Sequence, residues 1–178
     1  VRDARTAGGG KPVVLAAYQQ VYETAPPRLA DLATTFTMAT LFSHGATQLL
    51  CGEADRVLVD PYYVRNHAVD DGTAAMLKRW YDFLVEHVEL LQHPRSIDVT
   101  AATTGGYNGD CDVAYQGATV DDRPIPGRVW QRALDVDGRM VVHLINLVGQ
   151  ADAEWDAERK TPVVVAHGML RVRRVRSN

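Results

Sequence analysis

The sequence predicts an α/β segment followed by an antiparallel β domain, the α/β segment being short of the strands it needs. Three observations carry this. Two apolar runs, Pro12 to Ala17 and Thr47 to Cys51, bracket a stretch with helical spacing, which is a βαβ pattern. After Arg95 the helical stripes stop, and Gly, Asn-Gly, Asp-Gly and Pro-Gly turns divide short strand-like runs. Finally, two parallel strands buried on both faces cannot stand alone, since they leave edges open and bury too little surface to offset chain entropy. The segment therefore reads as the end of a barrel whose other strands lie upstream, over residues 1–95, with a β-sandwich or part of one over 96–178.

Composition is that of a globular chain. Of 178 residues, 46% are hydrophobic and 23% charged, and the net charge of −3 gives no general attraction to nucleic acid or anionic lipid. No apolar run reaches the ~20 residues needed to cross a bilayer. The opening Val1-Arg2-Asp3-Ala4-Arg5 has neither a methionine nor a signal-type apolar segment. Truncation of something longer, an unusual start codon or removal of a leader would each produce it. Cys51 and Cys111 lack metal-type spacing and read as free thiols, a disulfide being the alternative.

Element by element, residues 1–11 read as a flexible lead-in punctuated by Gly8-Gly9-Gly10. Val13 to Ala17 is a strand buried on both faces. Past Pro26-Pro27, the positions Leu29, Leu32, Ala33, Phe36 and Thr40 form a helical stripe that Gly45 ends. A second strand follows over 47–51, parallel to the first. Residues 52–72 are a long turn-rich loop of the kind that tends to carry function. The clearest helix spans Thr73 to Gln92, with Leu77, Trp80, Tyr81, Leu84, Val88 and Leu91 on one face, Asp71 or Thr73 as cap and Pro94 as stop. In the second half, Asp137-Gly138 joins strands Arg128 to Val136 and Arg139 to Val148 into a hairpin. Two further strands, Val163 to Ala166 and Met169 to Val175, flank a turn at His167-Gly168. The alternation of Arg171, Arg173, Arg174 and Arg176 with apolar residues suits a strand's solvent face.

The run Leu41-Phe42-Ser43-His44-Gly45-Ala46-Thr47-Gln48-Leu49-Leu50-Cys51-Gly52-Glu53 resembles glycoside hydrolase family 66, the dextranases and cycloisomaltooligosaccharide glucanotransferases. The likeness continues through Pro61-Tyr62-Tyr63 and Arg79-Trp80-Tyr81-Asp82-Phe83-Leu84-Val85-Glu86. It resumes at Val129-Trp130, at Val142-His143-Leu144-Ile145-Asn146-Leu147-Val148-Gly149 and around Trp155-Asp156. Lys11-Pro12 to Tyr18 is similar to the family's seventh barrel strand. The resemblance implies the last two strand–helix units of a (β/α)8 barrel followed by part of an antiparallel β-sandwich. It implies action on α-1,6-glucan by a retaining mechanism in a full-length parent located outside the cell or at its surface. The family's nucleophilic aspartate and acid/base glutamate sit on earlier strands and match nothing here, so no catalytic residue is assigned and the chain alone is expected to be inactive. Hydrolysis and cyclising transglycosylation both stay open. Where the family carries histidine and glutamate in a Gly-Thr-His-Ile-Glu-Leu-Gly pattern, this chain has Gln48 and Leu50, which implies altered sugar contacts.

Barrel sites form at the carboxyl ends of strands. That makes Tyr18, Gln48, Glu53 and Tyr63 the candidate contacts to an α-glucan oligosaccharide or polysaccharide. For Tyr18 and Gln48 the alternatives are a packed rim tyrosine and a satisfied polar strand end; for Glu53, a solvated loop charge. Tyr62 and Tyr63 either stack on sugar rings or pack beneath their loop. Trp80 reads as core and His143 as a buried strand partner. Trp130 and Trp155 read as core or domain packing, with a sugar-binding platform as the alternative. His44 suits a helix end, His67 lacks a second metal-type partner, and Ser43, His44 and Asp55 lack a nucleophile-elbow pattern. No cofactor or metal motif is present. Two other readings remain: a non-catalytic module that binds carbohydrate or protein, and a small α/β enzyme unrelated to sugars.

Overall fold

The computed structural model describes residues 1–61, 65–104 and 111–173. The chain divides into two compact units, the first made of Val1–Pro94 with Glu154–Thr161, the second of Arg95–Ala153 with residues 162–178. The described residues contain small separate sheets and no closed barrel.

The first unit opens with helix α1 (Arg2–Ala7), where the sequence suggests a flexible lead-in. What orders it is Arg5, whose buried guanidinium donates to the carbonyls of Gly45 at 2.7 Å and His93 at 2.8 Å. Strand β1 (Val13–Leu15) leads through the one-turn helix α2 (Val21–Thr24) to α3 (Pro27–Ser43) and then β2 (Ala46–Gln48). The two strands pair in parallel, Val13 with Ala46 and Leu15 with Gln48. Pro27 opens α3 at a position where its missing N–H costs nothing. Gly45 ends it with a backbone φ of +72° that a side chain would strain.

The buried face of α3 is Ala30, Ala33, Thr34, Thr37, Met38, Leu41 and Phe42, shifted by a step from the Leu29–Leu32–Phe36 stripe. The small residues on it let the helix approach β2 closely, while Phe36 is covered from outside by Arg159, as described below. The strands themselves are not buried on both faces. Val13, Leu15, Ala46 and Leu50 pack into the core, but Val14 is 65% and Leu49 55% exposed. Helix α3 covers one face of the pair, and nothing in the described unit covers the other.

The long loop contains a hairpin, β3 (Arg56–Leu58) against β4 (Asn66–Ala68), antiparallel, with Leu58 opposite Asn66. Helix α4 (Asp71–Glu86) follows, capped by Asp70, whose carboxylate accepts from the Thr73 amide at 2.8 Å. A break at His87 separates it from α5 (Val88–Leu91), so the expected single helix is two. Met76, Leu77, Leu84 and Leu91 reach the core, Trp80 packs at its margin against Phe42, and Val88 is exposed.

The second unit holds β5 (Ile97–Asp98), the single turn α6 (Thr100–Thr103), β6 (Cys111–Ala114), β7 (Val120–Asp121), β8 (Val129–Val136), β9 (Arg139–Asn146) and β10 (Met169–Val172). Asp137 and Gly138, both at positive φ (52° and 76°), turn β8 into β9, the mirror-image turn that suits strand twist. Along the other edge of β8, β5 pairs antiparallel at Leu134–Asp135 and β7 parallel at Val129–Trp130. A second pair joins β10 to β6. Val163 to Ala166 is not a strand. Val163 is held by one amide bond to the Val148 carbonyl, and Val164 is 88% exposed. Arg132, 6% exposed, pairs with Asp98 at 2.6 Å, where the Thr100 hydroxyl also donates at 2.6 Å. Cys51 is exposed, Cys111 buried, and both are free thiols.

Candidate functional site

At the carboxyl end of β1 the chain runs from buried Ala17 to half-buried Tyr18 and then to Gln19, which is fully buried. Gln19 fixes the local backbone. Its amide donates to the Leu58 carbonyl at 3.0 Å, and its side-chain nitrogen lies 3.3 Å from the Tyr18 carbonyl. Its side-chain oxygen sits 3.2 Å from the Thr34 hydroxyl, itself 3.1 Å from the hydroxyl of Tyr22. Tyr22 donates to Asp31 at 3.0 Å, and Thr73 at the start of α4 donates to the same oxygen at 2.8 Å. Burial, together with the Asp31 carboxylate, pushes the Tyr22 phenol far above its ordinary range, so it stays a neutral donor. The network ties the strand end to three helices, α2 through Tyr22, α3 through Asp31 and Thr34, and α4 through Thr73.

Tyr18 opens onto a cleft of about 620 Å³ whose walls include Gln20, Asp60, Arg65, Trp155 and Asp156. Its volume lies within the ~300–1,000 Å³ of small-molecule sites. Arg65 faces Asp60 across 3.5 Å. Trp155 and Asp156 belong to the returning segment Glu154–Thr161, which the sequence assigns to the β half but which folds into the first unit. Three anchors explain this. The Asp156 carboxylate accepts from the Val21 amide at 2.9 Å. Arg159, 3% exposed, lies over the Phe36 ring at 4.7 Å and donates to the Glu154 carbonyl. Arg28 donates to Thr161 at 3.1 Å. Burial raises the Asp156 carboxyl, against the opposing pull of the Val21 and Gln20 amides. Asp156 adopts φ +58°, and between its anchors Trp155 is held 54% exposed.

The other candidates are scattered. Gln48 is 2% exposed on the core side of β2, outside the cleft, and its side-chain oxygen and nitrogen have no hydrogen-bond partner among the described residues. Glu53 is exposed in the bend before β3 and does not line the cleft. Tyr62 and Tyr63 lie outside the described residues. His44 caps α3 by its Nδ1, 2.7 Å from the Thr40 carbonyl, and His67 meets Glu23 at 3.3 Å. His143 is partly buried on β9, opposite Arg132 in the ladder, with its Nε2 enclosed. Trp130 is buried in the second unit and its indole donates to the Asp122 carbonyl, while Trp155 belongs to the first unit. Among the described residues no cluster of three His, Cys, Asp or Glu could hold a metal, and no helix is long and apolar enough to cross a membrane. Sequence reasoning missed Gln20, Asp60, Arg65 and Asp156 as cleft residues. The only signal for them was the Trp155-Asp156 pair and the turn at Asp60-Pro61.

No curated protein matches the chain. Among solved structures it is similar to a Paenibacillus sp. cycloisomaltooligosaccharide glucanotransferase crystallised with cycloisomaltoheptaose, with TM-score 0.62 and 23% identity over 77% of this chain. At that identity the likeness speaks for the fold, and the match spans 18% of the other chain's length. The model of glycosyl hydrolase family 66 matches residues 1–173. The chain belongs to glycosyl hydrolase family 66.

Proposed function

We propose that the chain is a carboxyl-terminal part of a glycoside hydrolase that acts on α-1,6-linked glucan and is inactive by itself. The observation that carries this is the parallel pair β1–β2, covered by α3 on one face and open on the other, with Tyr18 in a cleft at its carboxyl end. Such a pair is what the last strands of a (β/α)8 barrel look like without their neighbours, and barrel sites gather at that end. The antiparallel unit that follows is then part of a β-sandwich. On this reading Tyr18 lines the rim of a sugar cleft, while Glu53, exposed in the bend before β3, stands apart from it and Tyr63 lies outside the described residues. Gln48 would meet sugar only if its burial in the first unit were relieved. The full-length protein uses a retaining mechanism, which requires two carboxyl groups ~5–5.5 Å apart on strands outside this chain. Because the polymer cannot enter a cell, the parent acts outside the cell or on its surface. The similarity to an enzyme crystallised with a cyclic isomaltooligosaccharide supports the substrate class.

The test compares this chain with the product of its gene extended upstream, each given dextran and amylose. The extended protein should release linear or cyclic isomaltooligosaccharides from dextran and leave amylose intact, while the chain alone releases nothing. Turnover of dextran by the chain alone, or of amylose in place of dextran by the extended protein, would overturn the reading.

A further inference from the structure

Trp155 is the residue whose placement the fold leaves unexplained. The residue is 54% exposed, yet the backbone on either side is fixed by the Asp156–Val21 bond and by the buried Arg159 on the Glu154 carbonyl. An indole left in water is unfavourable, and here it is not exposed by fraying, since its segment is tied to the rest of the first unit at three points, through Asp156, Arg159 and Thr161. The ring shares its cleft with the half-buried Tyr18 and with the facing pair Asp60 and Arg65. A flat apolar surface, a second aromatic ring and a carboxylate beside a guanidinium suit a ligand with an apolar face and a rim of hydroxyls. A phosphorylated ligand does not fit. Among the described residues the only cation on the cleft walls, Arg65, already faces Asp60, and Asp156 adds a second acidic group.

We infer that Trp155 is a stacking platform for one glucosyl residue, with Tyr18 as the second wall and Asp60 and Arg65 holding its hydroxyls. This deepens, and rests on, the α-1,6-glucan reading above. It adds that this chain carries a sugar subsite of its own, independent of the catalytic carboxylates.

The experiment titrates the whole chain with isomaltotriose and, in parallel, maltotriose, following the three indole N–H signals by NMR. Isomaltotriose should shift the Trp155 signal and leave those of Trp80 and Trp130 in place. Trp155→Ala should weaken binding roughly tenfold or more, and Trp155→Phe, which keeps a ring, by less. Should the alanine variant misfold, the phenylalanine variant and Tyr18→Leu carry the test, since each must weaken binding. Isomaltotriose binding that Trp155→Ala leaves unchanged overturns the subsite and spares the substrate reading. Maltotriose bound through Trp155 in preference to isomaltotriose upholds the subsite and sinks the α-1,6 assignment. A Trp155 signal that neither sugar moves overturns the subsite, and dextran turnover by the extended protein then decides the substrate reading separately.

Discussion

Arg159 holds the returning segment in the first unit, and replacing it with methionine shows what that hold is worth. Methionine keeps an unbranched stem of similar reach and removes the guanidinium. Lost with it are the contact over the Phe36 ring at 4.7 Å and the donation to the Glu154 carbonyl. A cation over a ring contributes ~2 kcal/mol when desolvated, and a hydrogen bond from a charged donor ~1.5–3 kcal/mol. Relief from burying a charge at a site 3% exposed offsets part of this. The net loss expected is about 2–3 kcal/mol, read from urea unfolding. Phe36→Leu and the double variant complete a cycle whose coupling should be about 1–2 kcal/mol. The Trp155–Asp156 peptide, released from its anchor, should become the first site of proteolytic cleavage. Coupling below about 0.5 kcal/mol, with unchanged cleavage, would refute the idea that this stacked cation fixes the platform.

Other expectations follow from the same contacts. Gly45→Ala forces a left-handed φ of +72° on alanine and drives its methyl into the Arg5 guanidinium, well inside van der Waals contact. It should cost about 2–4 kcal/mol in urea unfolding, and less when Arg5→Ala has already vacated the space. A full cost in that background would show that Arg5 is not the obstacle. Gln48→Leu removes two buried polar atoms that lack partners among the described residues and should stabilise the first unit by about 1–2 kcal/mol, whereas a loss would mean that the carboxamide has a partner after all. Burial alone would raise the Asp98 carboxyl, but hydrogen bonds from Thr100 and Arg132 hold it at about 2. A depressed carboxyl stabilises the fold above its unfolded value, and that stabilisation is lost as pH falls through the ordinary carboxylate range toward about 2. Acid titration of the second unit's unfolding should show this slope, and Asp98→Asn should flatten it.

Much of the fold was legible in local pattern. The Asp137-Gly138 hairpin, the α4 helix and the parallel pairing of the two apolar runs all follow from spacing that acts over a few residues, although the cap of α4 is Asp70 and not the expected Asp71 or Thr73. The departures share a cause. Helix α1 was unreadable because its order comes from Arg5 reaching carbonyls 40 and 88 positions away. The break at His87 falls inside an unbroken stripe, so periodicity alone could not announce it. Val163 to Ala166 has strand composition, yet among the described residues Val163 is held by its amide bond to the Val148 carbonyl and by the Asn146 side chain on its own carbonyl, without a ladder. Of the named site residues, Tyr18 lines the cleft, while Gln48 is turned into the core by strand alternation, since residues two apart share a face.

By itself the sequence determined the family, through an ordered set of short blocks, and the local elements, because hydrophobic period and turn chemistry are properties of neighbours in the chain. Only the tertiary structure decided which face of the β1–β2 pair is covered. It also decided that Trp155 belongs beside Tyr18, since the bond that brings them to one cleft joins Asp156 to Val21 across 135 residues. Contacts of that range are set by how the whole chain closes on itself, and no local pattern records them.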